Sequence, residues 1–541
     1  MSVVPDDLGE PTAPVPGSRR GLTVGLVVFG VLVVAGVAGG FIASQFGAGG
    51  GSSLEAIAGD ADMVIRFDFQ EYTDSDRVDR LISAFTEPLA AAGHIESAEA
   101  DLLQLLDQEL GSELGVTIAD DISPWIGEDL SVGLWFEPPI GSEPRLVVSV
   151  GVRDRDTAEQ FIEKLLDQAS AEVSRSERDG GTLFAALDSS SENGVVWLGD
   201  EMMLISSELA PIEGAIETME GESIVDNADY ARVGEELPET PLLELYVADS
   251  LIEKMATSTG MIGGADDGLL EMIESLGSTG ATISLSDEGV QFDAVQVSDG
   301  ENEWFESFAF DGSGLVSGLP ESTLGYLGFS FPGDLINNYM GLGETDPAAM
   351  EEIESVFFET FGVDLVDELL PALGPDVLLA AVSSSAGMLA SELDVPIGAL
   401  LAININDRAP VEKVLNGLEA MAAEEGITFS GDNPRVMIVD GQPAAAYALT
   451  DSSFSIATSD DLLTSFIDGS GDLADNPTYS RLDDALIGSG LTAFFDIAAI
   501  LDEIPMPADE RAILAPLTGF GTAMSSEDGL VRASALLLVD Y

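Results

Sequence analysis

The chain carries one signature twice. Residues 114–129 hold Gly115, Val116, Asp120, Pro124, Gly127 and Asp129, and residues 361–376 repeat that spacing with Gly362, Val363, Asp367, Pro371, Gly374 and Asp376. Asp154-Arg155 opens a stretch with Ala158, Phe161, Ile162 and Leu165, and Asp407-Arg408 opens one with Val411, Val414, Leu415 and Leu418. Both have the spacing of an amphipathic helix. Asp226-Asn227, Tyr230 and Arg232 recur as Asp475-Asn476, Tyr479 and Arg481; Asp287-Glu288-Gly289-Val290 recurs as Glu527-Asp528-Gly529-Leu530. Collinear matches over most of the chain require a fold that can be built twice.

The expected organisation is two tandem homologous units, 54–300 and 315–541, joined by a linker at 301–314. Period-two alternation places Met63, Ile65, Phe67 and Phe69 on one face of a strand. Further strands are expected at 130–136, 145–152, 182–187, 194–198, 202–206, 242–248 and 279–285, with a hairpin at Leu198-Gly199-Asp200-Glu201. Several strands follow one another between groups of helices. The fold class is therefore α+β, each unit a mainly antiparallel sheet packed with helices.

The run from Gly115 to Asp129, with Pro124-Trp125-Ile126-Gly127 before an apolar strand and Asp154-Arg155 opening the next helix, resembles the DUF 3352 family of bacterial membrane-anchored proteins of unknown function. The second copy departs from it, with Ala372 in place of Trp125. The resemblance implies an anchored envelope protein and transfers no catalytic residue.

An uncharged stretch, 21–46, precedes the first unit and is long enough to span a bilayer as a helix. Arg19 and Arg20 flank its N-terminal end, and the next basic residue is Arg66. The positive-inside rule then leaves residues 1–20 as a disordered cytoplasmic tail and exports the body behind a Gly/Ser tether at 47–53. Ile42-Ala43-Ser44-Gln45 is a poor cleavage site, so an uncleaved anchor is expected. The expected location is the cell membrane, single-pass, with the body outside.

Charge and composition remove several functions. The net charge of −79 opposes nucleic-acid binding. Absence of cysteine removes disulfides, thiolate sites and thiol nucleophiles. His94 is the single histidine and reads as an ordinary helix-end residue. No phosphate loop or nucleophile elbow is present. Asp468 to Asp475 comes nearest to a calcium loop but has Leu473 where glycine is needed and Tyr479 where glutamate is needed. The recurring Asp120, Pro124, Gly127 and Asp129 read as a structural corner, with the aspartates capping backbone N–H groups. Trp125 reads as core, and the Met- and Gly-rich stretch from Met255 to Met272 as a surface loop. No catalytic, cofactor-binding or metal-ligating residue is assigned, and no enzyme activity is expected.

The reading is a non-catalytic binding or scaffold protein of the bacterial envelope. Its partners would be the membrane, through 21–46, and an unknown envelope protein or apolar ligand. A carrier or sensor of an apolar ligand and a carboxylate-dependent hydrolase are the alternatives.

Overall fold

The computed structural model describes residues 52–68, 76–91, 116–138, 144–169, 173–186, 194–238, 241–258, 277–298, 310, 312–330, 347–384, 395–469, 471–486, 490–527 and 529–541. Among these residues no helix is long and apolar enough to cross a membrane. The expected span at 21–46, His94 and most of the Met- and Gly-rich stretch lie outside the described residues.

The fold is α+β with one large antiparallel sheet. Its strands are β1 Met63–Asp68, β2 Ile126–Trp135, β3 Arg145–Val152, β4 Val173–Arg178, β5 Gly181–Ala186, β6 Val195–Leu198, β7 Met202–Ser206, β8 Leu243–Val247, β9 Ser278–Leu285 and β10 Gly289–Val297. They continue as β11 Thr323–Ser330, β12 Leu373–Ser383, β13 Ile397–Ile405, β14 Thr428–Ser430, β15 Arg435–Val439, β16 Gln442–Leu449, β17 Ser453–Ala457, β18 Leu491–Phe495, β19 Leu517–Glu527 and β20 Leu530–Val539. The longer helices are α1 Asp76–Ala91, α2 Arg155–Ala169, α3 Leu209–Met219, α4 Ala228–Glu236, α5 Asp249–Ser258, α6 Pro347–Phe361, α7 Arg408–Glu424, α8 Asp460–Ile467, α9 Pro477–Ala485, α10 Ile497–Glu503 and α11 Ala508–Leu514.

The first ten strands pair in the order β4-β5-β6-β7-β3-β2-β1-β8-β9-β10. The last ten pair as β14-β15-β16-β17-β13-β12-β11-β18-β19-β20. Adding ten to each strand number converts one order into the other. The halves join where β10 pairs antiparallel with β20, and Asp293 there faces Ser534.

Strand register corrects one sequence match. Hairpin β9–β10 closes at Leu285↔Val290 and β19–β20 at Glu527↔Leu530, so the loops differ in length. Tyr246 pairs with Gly280 and Gly280 with Val295, as Phe494 pairs with Gly521 and Gly521 with Leu536, so Val295 holds the step of Leu536 and Val297 that of Leu538, all four buried. Gly289 and Gly529 therefore do not occupy matching steps.

In the first half, where the sequence reading named its strands, two escaped it. Edge strand β4 reads Val-Ser-Arg-Ser-Glu-Arg and is almost wholly exposed, so it lacks an apolar stripe. Its Arg175 and Arg178 place charge on the sheet edge, which discourages pairing with another chain. Strand β10 mixes Gln291, Asp293 and Gln296 with its apolar residues, because its central pair lies at the seam.

Helices cover both sheet faces. In the first half α3 and α4 bury Ile212, Ile216, Tyr230 and Val233 against Val64, Leu204 and Tyr246. On the opposite face α2 buries Ala158, Phe161 and Ile162 against Leu130, Val148 and Val150. Ser53, the last residue of the expected tether, and Ala56 are fully buried.

Candidate functional site

The repeated corner is architectural. Val116 and Val363 are both fully buried, and a one-turn π-helix follows each, Ile118–Ile122 and Leu365–Leu369. Gly127 and Gly374 then bring two strands close. An added Cβ would lie 2.7 Å from Gly151 backbone or 2.7 Å from the Asn404 Cβ. The Arg153 N–H donates to Trp125 O and the Asn406 N–H to Ala372 O, locking the corner onto the end of β3 or β13. Trp125 is core: it is 2 % exposed, stacks on Phe161 with centroids 5.1 Å apart, and donates Nε1–H to Asp121 O.

The expected capping of backbone N–H groups is seen at Asp129 in the first copy, while its counterpart Asp376 is held by side chains. Buried Asp129 accepts the Ser53 N–H at 2.9 Å, and its counterpart Asp376 accepts from Ser330 Oγ and Asn404 Nδ2. Asp120 and Asp367 are exposed, and their neighbours do the capping. Asp121 accepts the Thr117 N–H and pairs with Lys164 at 2.5 Å; Asp364 accepts the Val366 and Asp367 N–H groups. Burial works against the Asp121 carboxylate, but Lys164 and the Thr117 N–H outweigh it and hold its pKa below the usual range. Asp129 goes the other way: burial pushes it up despite Ser53 and Arg66.

The second motif also places matching side chains in matching roles. Asn227 and Asn476 are N-caps of α4 and α9, accepting the N–H of Tyr230 and Tyr479 respectively. Each amide also donates to a carbonyl just before the first strand of its half, Gly59 O at 2.8 Å and Glu321 O at 3.1 Å. Tyr230 packs edge-on against Tyr246 (5.2 Å, 80°), and Tyr479 against Phe494 (5.4 Å, 82°).

The halves differ on the face that carries α2 and α7. One in-register row of side chains crosses the sheet. Its first-half members Leu198, Met203, Val150, Leu130 and Phe67 are buried under α2. The row continues through Leu243 and Ile283 to Phe292, Ala535, Thr522, Ala493, Leu327, Leu379 and Leu401. There Phe292, Leu327 and Leu379 are 40, 44 and 42 % exposed. From β10 to β13 this open stretch spans about 29 Å at the usual strand spacing.

The cause is local. Helix α7 buries Val411 but exposes Leu418 and Met421, and the core beneath it is Ala372, Ile405, Val411 and Leu449. A polar clasp holds it instead. Glu419 accepts from Arg435 Nε at 2.6 Å and from Arg435 Nη2 and the Tyr447 hydroxyl. Burial opposes the Glu419 carboxylate, but these donors lower its pKa. The Tyr447 hydroxyl, partly buried beside Glu419, is pushed up to about 12.

A cleft of about 310 Å³ opens on the other face of the second half. Phe310, Tyr326, Leu473, Tyr479 and Leu491 form its walls, with Ser317 and Asp483 as polar members. Strand β11 supplies Tyr326, 1 % exposed, whose hydroxyl donates to Leu491 O at 2.9 Å. Helix α9 supplies Tyr479 and, one turn on, exposed Asp483. Burial raises both tyrosine pKa values, and Asp483 adds to the effect. The hydroxyls therefore stay protonated across the physiological range. In the first half, strand register places Val64 at the step of Tyr326. Sequence reasoning singled out Tyr479 as a repeated residue but missed Tyr326 and Asp483. The available signal was their departure from the repeat.

Among the described residues no group of three or more potential metal-ligating side chains is gathered. The Asp468–Asp475 segment contributes Leu473 to the core and Asp475 to a 3-10 turn that leads into the Asn476 cap.

A family model described as "Protein of unknown function (DUF3352)" matches residues 26–538. No curated protein matches the chain. Crystal form I of TP0453 is a solved structure with 8 % identity and a TM-score of 0.24, covering 46 % of this chain and 79 % of that one. Crystal form IV of TP0453 gives 9 % identity and a TM-score of 0.23 over 47 % and 83 %.

Proposed function

We propose that this chain, which belongs to the DUF3352 family of proteins of unknown function, is a single-pass membrane-anchored protein whose exported body binds a ligand or envelope partner without transforming it. The body is built from two copies of one α+β unit joined edge to edge. The cleft carries the binding reading: it offers aromatic surface, two hydroxyls held protonated and one exposed carboxylate, rather than an activated nucleophile beside a base. The anchor reading rests on the apolar run at 21–46 and on fully buried Ser53. With Ser53 buried in the body, six tether residues, 47–52, remain, and fully extended they reach only about 20 Å, so the body would sit against the bilayer.

The two-copy reading is supported by bonds that recur with the strand order. Ile224 N–H donates to Ile57 O and Leu473 N–H to Leu319 O, while Ala248 N–H donates to Asp62 O and Asp496 N–H to Leu324 O. Protease shaving of intact cells, followed by N-terminal sequencing of the membrane-bound protein, tests the placement. The body should be degraded from outside with residues 1–46 retained. A mature N-terminus near Gln45, or a protected body, would refute it.

A carrier of an apolar ligand is the second reading, favoured by the open row at Phe292, Leu327 and Leu379. Native mass spectrometry of the purified chain with no co-purifying lipid would count against it.

A further inference from the structure

We propose that the cleft beside Tyr326 and Tyr479 takes a small organic ammonium ion, its apolar body against the aromatic walls and its charge at Asp483. This deepens the binding reading and rests on it. The cleft has room for about ten waters, hence a ligand of roughly that many heavy atoms. Among the described residues the lining includes no cation and no ion pair is made by Asp483. The nearest arginine in sequence, Arg481, turns away to Glu288 and Asp540.

The walls suit the same charge. Tyr479 presents the half-buried ring, backed by buried Tyr326 with centroids 6.4 Å apart and by buried Phe494 at 5.4 Å. Aromatic faces attract an ammonium ion through the ring quadrupole, and an alkylated ammonium loses less hydration there than a metal ion. An anionic ligand would meet Asp483 and the field of a chain carrying −79 charges. The first-half pocket differs: its lining includes a cation, Arg145, and its carboxylate, Asp60, already accepts the Trp135 indole N–H at 2.9 Å. The ammonium site is thus a property of the second half.

Choline and its uncharged isostere 3,3-dimethylbutan-1-ol are the probes, titrated calorimetrically into the full-length chain in a zwitterion-free detergent at 0.3 M NaCl. The salt suppresses diffuse attraction of cations to the polyanion. Choline should bind at least about tenfold more tightly than the alcohol, and Asp483→Asn should lose about tenfold. Asp484→Asn removes the same charge outside the lining and should change the affinity less than about twofold. Tyr479→Leu should weaken choline binding, with the fold of each variant checked by circular dichroism. Equal binding of the alcohol, or equal losses for the Asp483 and Asp484 variants, overturns the ammonium assignment and leaves the cleft as a binding site. Binding of neither probe to folded wild-type chain overturns the assignment and the cleft's place in the binding reading together.

Discussion

Replacing Asn227 or Asn476 by alanine should destabilise the two halves alike. Each asparagine does two jobs at once. Its Oδ1 caps α4 or α9, and its Nδ2 ties that helix to the carbonyl of Gly59 or Glu321. Loss of the cap costs about 1 kcal/mol. Loss of the amide donor from a part-buried carbonyl costs about 1 kcal/mol more. The sum of about 2 kcal/mol corresponds to a roughly 30-fold drop in hydrogen-exchange protection where local opening governs exchange. Deuterium uptake of peptides covering 228–236 and 477–485 in the full-length chain reads this directly. Asn227→Asp keeps the acceptor and removes the donor, so it should fall between wild type and alanine. The Asn476 lesion should be slightly the larger, because that amide also donates to Asp496 at 3.2 Å. Protection changing less than about threefold in either alanine variant, or differing more than about tenfold between them, would refute the claim that one device is used twice.

Three further outcomes follow from the same geometry. Leu130→Ala removes a side chain 1 % exposed and should cost about 2–5 kcal/mol, whereas Leu327→Ala on the same row, 44 % exposed, should cost under about 1 kcal/mol in urea unfolding. Glu419 has a lowered pKa, so its share of stability is present above the unfolded carboxylate value and lost as pH falls through the folded one. Protection of 408–424 should fall on acidification below about pH 4.3, and Glu419→Gln should remove that step. Self-repulsion in a chain of net charge −79 should make the melting temperature climb between 0.05 and 1 M NaCl, and a flat profile would contradict this.

The sequence revealed what repetition and periodicity can carry. The Gly127 and Gly374 corner, the Asn227 and Asn476 caps and the α+β class were legible because each depends on a residue type required by local geometry. The one-step slip between Gly289 and Gly529 arose because the match followed glycines, while the strand register that the two hairpins share gives Gly289 the step of Leu530. The pairing of β10 with β20 left no signal, since an inter-unit seam needs only two compatible strands. Helix α7 has the same apolar spacing as α2, yet it exposes Leu418 because Arg435 and Tyr447 hold Glu419 in place of an apolar contact. The cleft was hidden because its walls come from positions as distant as Phe310 and Leu491.

The seam itself offers the most direct test of the two-copy architecture. Asp293 and Ser534 face each other across β10 and β20, with Ser534 Oγ donating to Asp293 Oδ1 at 2.7 Å, while the other Asp293 oxygen is buried without a donor. Paired residues in an antiparallel sheet have Cα atoms about 4.5–5.5 Å apart, within disulfide range. The chain has no cysteine, so the double variant D293C/S534C contains one possible intramolecular disulfide. Mild oxidation of the full-length protein should close it in high yield at low protein concentration. The closed loop should migrate faster on a non-reducing gel, and a control pair D293C/L401C should stay open. Free thiols in the seam variant after oxidation, or disulfides only between chains, would contradict the edge-to-edge union of the two halves.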